Sequence, residues 1–257
     1  MRRALCEHLL ADRNSLVEIP DHEAKHLISV LRLGPGEEVE LLDGKGFCAR
    51  GTLVFRNKKV FAELIELPKS DPRLLSLPLH LHMSILKGEA MEWVVEKAVE
   101  LGVRTLTPIE TEFTVVKIHK KGAETCLERW QRIADQALKQ CGRLDRMEIR
   151  SPRSPETIDS SSIPVFWLDE SLAANGNRAE HLSAMIRSHP PESGGGSALL
   201  VGPEGGFSAS ERRRLLELTV PGNKGIKRVH LGSLILRAET AALFGVSIMV
   251  GEAYGKE

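Results

Sequence analysis

Two stretches near the C-terminus concentrate the residues best able to do chemistry: Gly202-Pro203-Glu204-Gly205-Gly206 and Leu231-Gly232-Ser233-Leu234-Ile235-Leu236-Arg237-Ala238-Glu239-Thr240-Ala241. The glycines at 202, 205 and 206 let the backbone turn sharply and bring bare N–H and C=O groups against a ligand, while Pro203 stiffens the turn. Glu204 puts a carboxylate inside that loop, either to meet the ligand or to brace the loop's own N–H groups. A fixed guanidinium at Arg237 can stabilise developing negative charge and grip a phosphate, or it can form a structural or intersubunit salt bridge. Glu239 can act as a general base, but a place in the first turn of a helix suits dipole and backbone capping better. Alone, Gly-Pro-Glu-Gly-Gly also reads as a tight surface turn, and its pairing with the second loop argues against that.

Each loop lies between a strand signal and a helix signal. An apolar run at 198–201 precedes the first, and Ser208-Ala209-Ser210-Glu211 after it reads as a helix start. The second follows a short strand candidate at 227–231 and runs into a helix at 239–250 that is apolar nearly all the way round. Such a helix is expected to be buried, in the interior or between subunits. Its apolar stretch of about a dozen residues falls short of the ~20 that cross a bilayer, so no membrane span is expected. Strand, glycine loop and helix suggest a nucleotide, yet the phosphate-loop motif is absent. So are G-x-G-x-x-G and an acidic residue on a following strand end to hold a ribose.

Leu-Val-Gly-Pro-Glu-Gly-Gly-Phe-Ser-x-x-Glu at 200–211, followed by Leu-Gly-x-x-Ile-Leu-Arg-x-Glu-Thr-Ala at 231–241, resembles the RsmE family of SPOUT methyltransferases. These methylate N3 of a uridine in 16S ribosomal RNA with S-adenosylmethionine. Lys87, residues 92–103, Pro108 and Gln140-Cys141-Gly142-Arg143 resemble the family's middle motifs. His26-Leu27, Val30-Leu31-Arg32 and Asp43-Gly44 resemble its N-terminal domain, so the resemblance covers essentially the whole chain. It implies an α/β protein with an N-terminal PUA-like RNA-binding β-barrel (residues 1–70) and a C-terminal SPOUT domain (residues 74–257) that is knotted and dimerising. Only the resemblance implies the trefoil knot, because true knots are so rare that default topology rules exclude one. In the family the cofactor sits bent in the knotted loops at a homodimer interface, which suits both glycine loops and the apolar last helix.

The rest of the chain reads as two domains. Its 257 residues, 42% hydrophobic, can bury a substantial core. Cys6, Cys48, Cys126 and Cys141 form no C-x-x-C pair or metal-ligand spacing, so reduced thiols in a cytoplasmic protein and no metal are expected. Glu7, His8, Asp12 and Arg13 interrupt the N-terminus, which does not read as a signal peptide. Strand candidates at 38–42, 48–55 and 59–65, separated by Gly34-Pro35-Gly36, Asp43-Gly44-Lys45-Gly46 and Arg56-Asn57-Lys58, predict a small β-barrel with a helix over 21–31. The residues alone equally allow a purely structural β-domain. Leu67-Pro68-Lys69-Ser70-Asp71-Pro72 reads as the linker. Beyond it, strands at 78–86, 103–108, 165–168, 198–201 and 228–231 alternate with helices at 91–101 and 124–140, predicting a mostly parallel sheet with helices on both faces.

In the reaction that the resemblance implies, uridine N3 carries an imide proton on its pairing edge, so the base must be unpaired and the proton lost. Arg237 is the first candidate to stabilise the resulting charge, with Glu204 the other catalytic candidate. Gly202, Gly205, Gly206, Leu231, Gly232, Ile235 and Leu236 are assigned to cofactor binding. With 35 basic and 35 acidic residues the chain has no global field to draw RNA, so contacts must be local. Residues 113–150 hold nine Lys/Arg and five Asp/Glu, which makes this segment the candidate phosphate surface; for any single residue an ordinary solvated face is the plainer reading. The expected RNA-binding residues are Arg32, Lys117, Arg132 and Arg143.

Phe113 and Lys139 depart from the family pattern, which has an arginine and an acidic residue there; both bear on RNA docking. Phe113 offers a base-stacking surface in a chain of 4% aromatic content. The leading function is uridine-N3 methylation of 16S rRNA, with the RNA expected within the small ribosomal subunit. The alternatives are ribose 2′-O-methylation by a related SPOUT enzyme and a non-catalytic RNA-binding ribosome-assembly factor.

Overall fold

The computed structural model describes residues 2–9, 15–66, 69–70, 78–115, 118, 122–171, 180–190, 195–219 and 224–254, with side chains as far as 252. The chain divides into two units, Met1–Leu74 with Asp135–Arg146, and Leu75–Ala134 with Met147–Glu257. Of the expected linker, residues 67–68 and 71–72 lie outside the described residues, and Lys69–Ser70 form a short strand.

In the first unit, β1 (Arg3–Leu5), β2 (Leu16–Glu18), β3 (Glu38–Leu42), β4 (Phe47–Arg56), β5 (Lys59–Leu64) and β6 (Lys69–Ser70) make one six-stranded sheet in the order β1-β3-β4-β5-β2, with β6 on β4. The β3–β4 hairpin turns where Asp-Gly predicts it, because the Asp43 carboxylate accepts from Lys45 N (2.7 Å) and Phe47 N (2.9 Å). The helix expected over 21–31 begins as α1 (Asp21–Lys25) but continues as a π-helical turn, His26–Val30. Arg32 follows with φ +56°, in the left-handed region that non-glycine residues rarely occupy. Leu27, Leu41 and Leu53 anchor the core of this unit.

Residues 135–146 are held in this unit by charge. Arg3, 6% exposed, donates to the carbonyls of Lys139 (2.7 Å) and Gln140 (3.2 Å) and to Glu40 (2.5 Å). Lys139 lies 2.6 Å from the buried Glu23, so its departure in charge is neutralised inside the fold rather than displayed to RNA. Arg146 is bidentate to Asp135 (2.7 and 2.6 Å) and also reaches Glu7.

The second unit alternates β7 (Leu79–Ser84), α2 (Glu89–Glu100), β8 (Thr105–Ile109), α3 (Ala123–Cys141), β9 (Glu148–Ile149), β10 (Pro164–Leu168), α4 (Leu182–Ser188), β11 (Ser197–Val201), α5 (Ala209–Glu217), β12 (Gly225–Val229) and α6 (Ala238–Tyr254). The last turns of α3 belong with the first unit. All six strands are parallel, in the order β12-β10-β11-β7-β8-β9. Strand parity then sorts the core. Trp167, Leu200, Phe207 and Leu215 of α5 cluster on one face, and α6 lies on the other, where an added Cβ at Gly245 would stand 2.7 Å from a Leu199 methyl. Glycine at 245 therefore sets how closely the last helix approaches the sheet.

Of α6, expected to be buried in the interior or between subunits, a single chain covers one face. Ala238, Ala242, Val246 and Met249 are buried, but Phe244 is 45% exposed, because within one chain the helix covers the sheet with a single face. Among the described residues no helix is long and apolar enough to cross a membrane. The sheet interior also carries an unexpected polar stripe. His80, His82 and Ser84 alternate on β7, and burial, with smaller contributions from His80 and two arginines, pushes the His82 pKa down to about 4. Among the described residues, His82 Nδ1 and Ser84 Oγ are buried without a hydrogen-bond partner.

Candidate active site

Strand β10 lies between β11 and β12, so the chain leaves its C-terminal end on one side and returns on the other. In an open parallel sheet such a reversal leaves a crevice at the carboxyl ends of the strands. A cavity of about 330 Å³ occupies that place, lined by residues from the ends of these three strands and from the two glycine loops. Its size falls at the lower end of the ~300–1,000 Å³ range of small-molecule sites.

Both loops come together here. Gly202, Glu204 and Gly206 line the cavity from one side, and Leu231, Gly232, Ile235, Leu236 and Arg237 from the other. Gly206 N donates to Pro203 O (2.9 Å), which closes the first turn. Its φ of +70° lies in the left-handed region that favours glycine. Gly205 is not among the lining residues: a Cβ there would meet Phe113 Cβ at 3.3 Å, so this glycine admits the 110–115 turn rather than a ligand. The second loop presents apolar surface, with Leu234 and Ile235 exposed at 78% and 77%. After the first loop, α5 starts as the sequence predicts. Ser208 Oγ accepts from Glu211 N (3.3 Å), and Glu211 Oε2 accepts from Ser208 N (2.8 Å).

Arg237 lies exposed on the cavity wall and, among the described residues, forms no ion pair. That leaves its guanidinium available to a ligand. Glu204 is exposed, and among the described residues no hydrogen bond from its loop's N–H groups reaches it. Glu239 stands in the first turn of α6, outside the cavity wall.

Sequence reasoning missed Asp169 and Glu170, which follow β10 and line the same cavity. Asp169, 1% exposed, accepts from Arg228 Nε (2.9 Å) and Nη2 (2.6 Å), from Ser171 N and Oγ, and from Arg212. Burial pushes its carboxyl pKa up, but the bonds from Arg228, Ser171 and Arg212 outweigh that and hold it below the usual value. Both guanidiniums also stand 5.5 Å from the Trp167 ring centre. The cluster fixes the end of β10, so it braces the cavity floor. An acidic pair directly after an apolar strand was the available signal, but only the order of the strands places it beside the loops.

The expected RNA-binding residues fare differently. Arg32 is exposed, and Arg132, with its side chain 73% exposed, keeps only a long 3.5 Å contact to Glu128. Arg143 needs correction: it is 9% exposed and bidentate to Asp145 (2.9 and 2.7 Å), a geometry that spends its donors inside the fold. Lys117 lies outside the described residues. Every described cation of the 113–150 segment has a carboxylate partner: Arg129, Arg132, Lys139, Arg143, Arg146 and Arg150. Among the described residues of this segment, Arg132 has the most exposed side chain of these paired cations.

Comparison with known proteins places this architecture. A family model for an RNA methyltransferase domain matches residues 73–250, and one for an RNA methyltransferase PUA domain matches residues 19–65. The ribosomal RNA small subunit methyltransferase E of Aquifex aeolicus is 31% identical over 242 residues, covering 93% of this chain and 95% of that protein. The chain belongs to the ribosomal RNA small subunit methyltransferase E family. Its namesake from Bacillus subtilis is 29% identical over 236 residues, covering 89% of this chain and 87% of that protein. Among solved structures, the family's enzyme from Neisseria gonorrhoeae bound to S-adenosyl methionine is 28% identical with a TM-score of 0.82, covering 98% of this chain and 97% of that one. Membership makes the α/β fold, the PUA domain and the methyltransferase class of this chain plain.

Proposed function

We propose that the chain transfers the methyl group of S-adenosylmethionine to N3 of a uridine in 16S ribosomal RNA, presented within the small ribosomal subunit in the cytoplasm. In this reading residues 1–70 are an RNA-binding barrel. Residues 74–257 are the catalytic domain, knotted through the glycine loops and paired in a homodimer. The observation that carries the reading is the single cavity in which both glycine loops meet an arginine free of ion pairs among the described residues. Family membership supports the same conclusion.

The cavity suits the cofactor. Gly202, Gly206 and Gly232 offer bare backbone, Leu231, Ile235 and Leu236 an apolar wall for an adenine, and Glu204 and Glu170 carboxylates for cationic or hydroxyl groups. When bound, the cofactor supplies a methyl carbon already activated by its sulfonium, so the protein has only to align the nucleophile and exclude water. The imide proton leaves N3 to solvent, the resulting negative charge spreads onto the uracil oxygens, and Arg237 stabilises it. N3 then takes the methyl group, which discharges the base and leaves the donor sulfur as a neutral thioether. Glu204 complements the positive charge of the donor. Arg32 and Arg132 contact phosphates. The exposed apolar Phe244 on α6 supports burial of that face in a second subunit.

Labelled S-adenosylmethionine and small subunits lacking the modification, followed by nucleoside analysis, test this. Label in 3-methyluridine is the expected outcome. Label in a ribose-methylated nucleoside would replace the target atom, and no label with the cofactor bound would leave a non-catalytic role.

A further inference from the structure

The turn after β8 does not line the cavity, yet it is held by several hydrogen bonds. Thr111 and Thr114, 2% and 3% exposed, bond to each other through their hydroxyls (2.9 Å), Thr111 N donates to Thr114 Oγ1 (2.9 Å), and Thr114 N donates to Thr111 O (3.2 Å). Glu112 N donates to Glu211 Oε1 (2.8 Å), the oxygen of the α5 capping glutamate that the cap leaves unused. The turn is thus fixed from within and tied to the start of α5. Its tip carries Phe113, 48% exposed, whose Cβ and ring edge lie against Gly205 between the cavity residues Glu204 and Gly206. A rigid backbone that holds a phenyl ring half in water has spent conformational freedom to present an apolar surface.

From this arrangement we propose that Phe113 is the platform on which the target uracil stacks once it has left its helix. The inference rests on the proposed reaction and names the residue that positions its substrate. A uracil methylated at N3 must show its pairing edge to the cavity, so its flat faces are the main part of the base left for the protein to grip. A flat apolar ring beside the glycine loop grips a face without competing for N3, O2 or O4. Base-on-aromatic stacking also needs no particular hydrogen-bonding pattern, leaving identity to be read elsewhere. Phe113 is a positioning residue and does not touch the transferred methyl.

The test compares the full-length enzyme with F113L, which keeps apolar bulk against Gly205 but loses the flat face, and with F113W, which keeps the face. Three quantities are measured: methyl transfer to unmodified small subunits, direct affinity for those subunits, and affinity for S-adenosylmethionine. In F113L, KM for the subunits should rise and their affinity fall by about tenfold or more, with cofactor affinity within about twofold. F113W should lie within about threefold of the parent, its fluorescence quenched when subunits are added. Unchanged subunit affinity in F113L would overturn the inference. So would an equal loss of cofactor affinity, which would make the ring a brace for the glycine loop. Failure of the parent enzyme to methylate uridine N3 while binding cofactor would overturn the proposed reaction itself, and this inference with it.

Discussion

Arg237 and Arg143 are the same residue type, but their surroundings give them opposite uses. Arg237 lies on the wall of a cavity lined by loop backbone, aliphatic side chains and the carboxylates of Glu170 and Glu204, exposed and outside any ion pair among the described residues. Arg143 sits in a segment rich in basic residues, yet it is 9% exposed and locked fork to fork on Asp145. Charge counting along the sequence places Arg143 among the residues that act on a ligand, and its pairing with Asp145 withdraws it from that role. A cation whose donors are already spent on carboxylates stabilises the fold, whereas one left unpaired on a cavity wall can serve a substrate.

Substitution should separate the two roles. The largest effect is expected from Arg237→Ala, which should lower kcat by between about a hundredfold and a thousandfold while cofactor affinity and thermal midpoint stay near the parent's. Turnover within about threefold of the parent would end the comparison by removing Arg237 from the mechanism. Arg143→Ala should do the reverse. Leaving Asp145 without its partner should cost about 3 kcal/mol in urea unfolding, with turnover per folded molecule nearly unchanged; a lost affinity for RNA at full stability would return Arg143 to the substrate surface.

Acid offers a control that leaves both arginines charged. His82 is held neutral by burial at a pKa of about 4, against 6.5 for the free side chain. The unfolded chain therefore takes up a proton that the folded one refuses. Stability is complete above about pH 6.5 and declines as the pH falls toward 4, by on the order of 3 kcal/mol. Loss of that slope in His82→Leu, read from urea midpoints across the window, would assign it to the sheet interior; an unchanged slope would place it elsewhere. The smallest effect is expected from Arg132→Ala. Stability should move by less than about 0.5 kcal/mol because its pair is exposed, and affinity for subunits should fall about twofold with a shallower salt dependence.

How far the sequence could be read follows the range of the forces involved. The glycine loops, the capping box at Ser208 and Glu211, and the Asp43-Gly44 hairpin were legible because each requirement is met within a few residues. Strand β7 was legible from its alternation, and β10 and β11 as apolar runs. Strand β9, only Glu148–Ile149, and helix α4, Leu182–Ser188, have too little pattern of their own and exist because neighbours pair with or cover them. The site was legible where it depends on glycine. It was not legible at Asp169, whose meaning comes from Arg212 and Arg228, 43 and 59 residues away in sequence. Nor did the sequence show that Lys139 would find Glu23, a partner 116 residues earlier.

Glu211 joins two segments 99 residues apart with one carboxylate, one oxygen on the start of α5 and the other on the backbone of Glu112. The start of the helix after the glycine loop and the turn that carries Phe113 therefore share a single anchor, and neither can loosen without changing the hold on the other. If the turn holds the RNA base, ordering the glycine loop with cofactor should tighten RNA binding through that shared anchor, and RNA affinity measured with and without cofactor, in the parent and in Glu211→Ala, checks it.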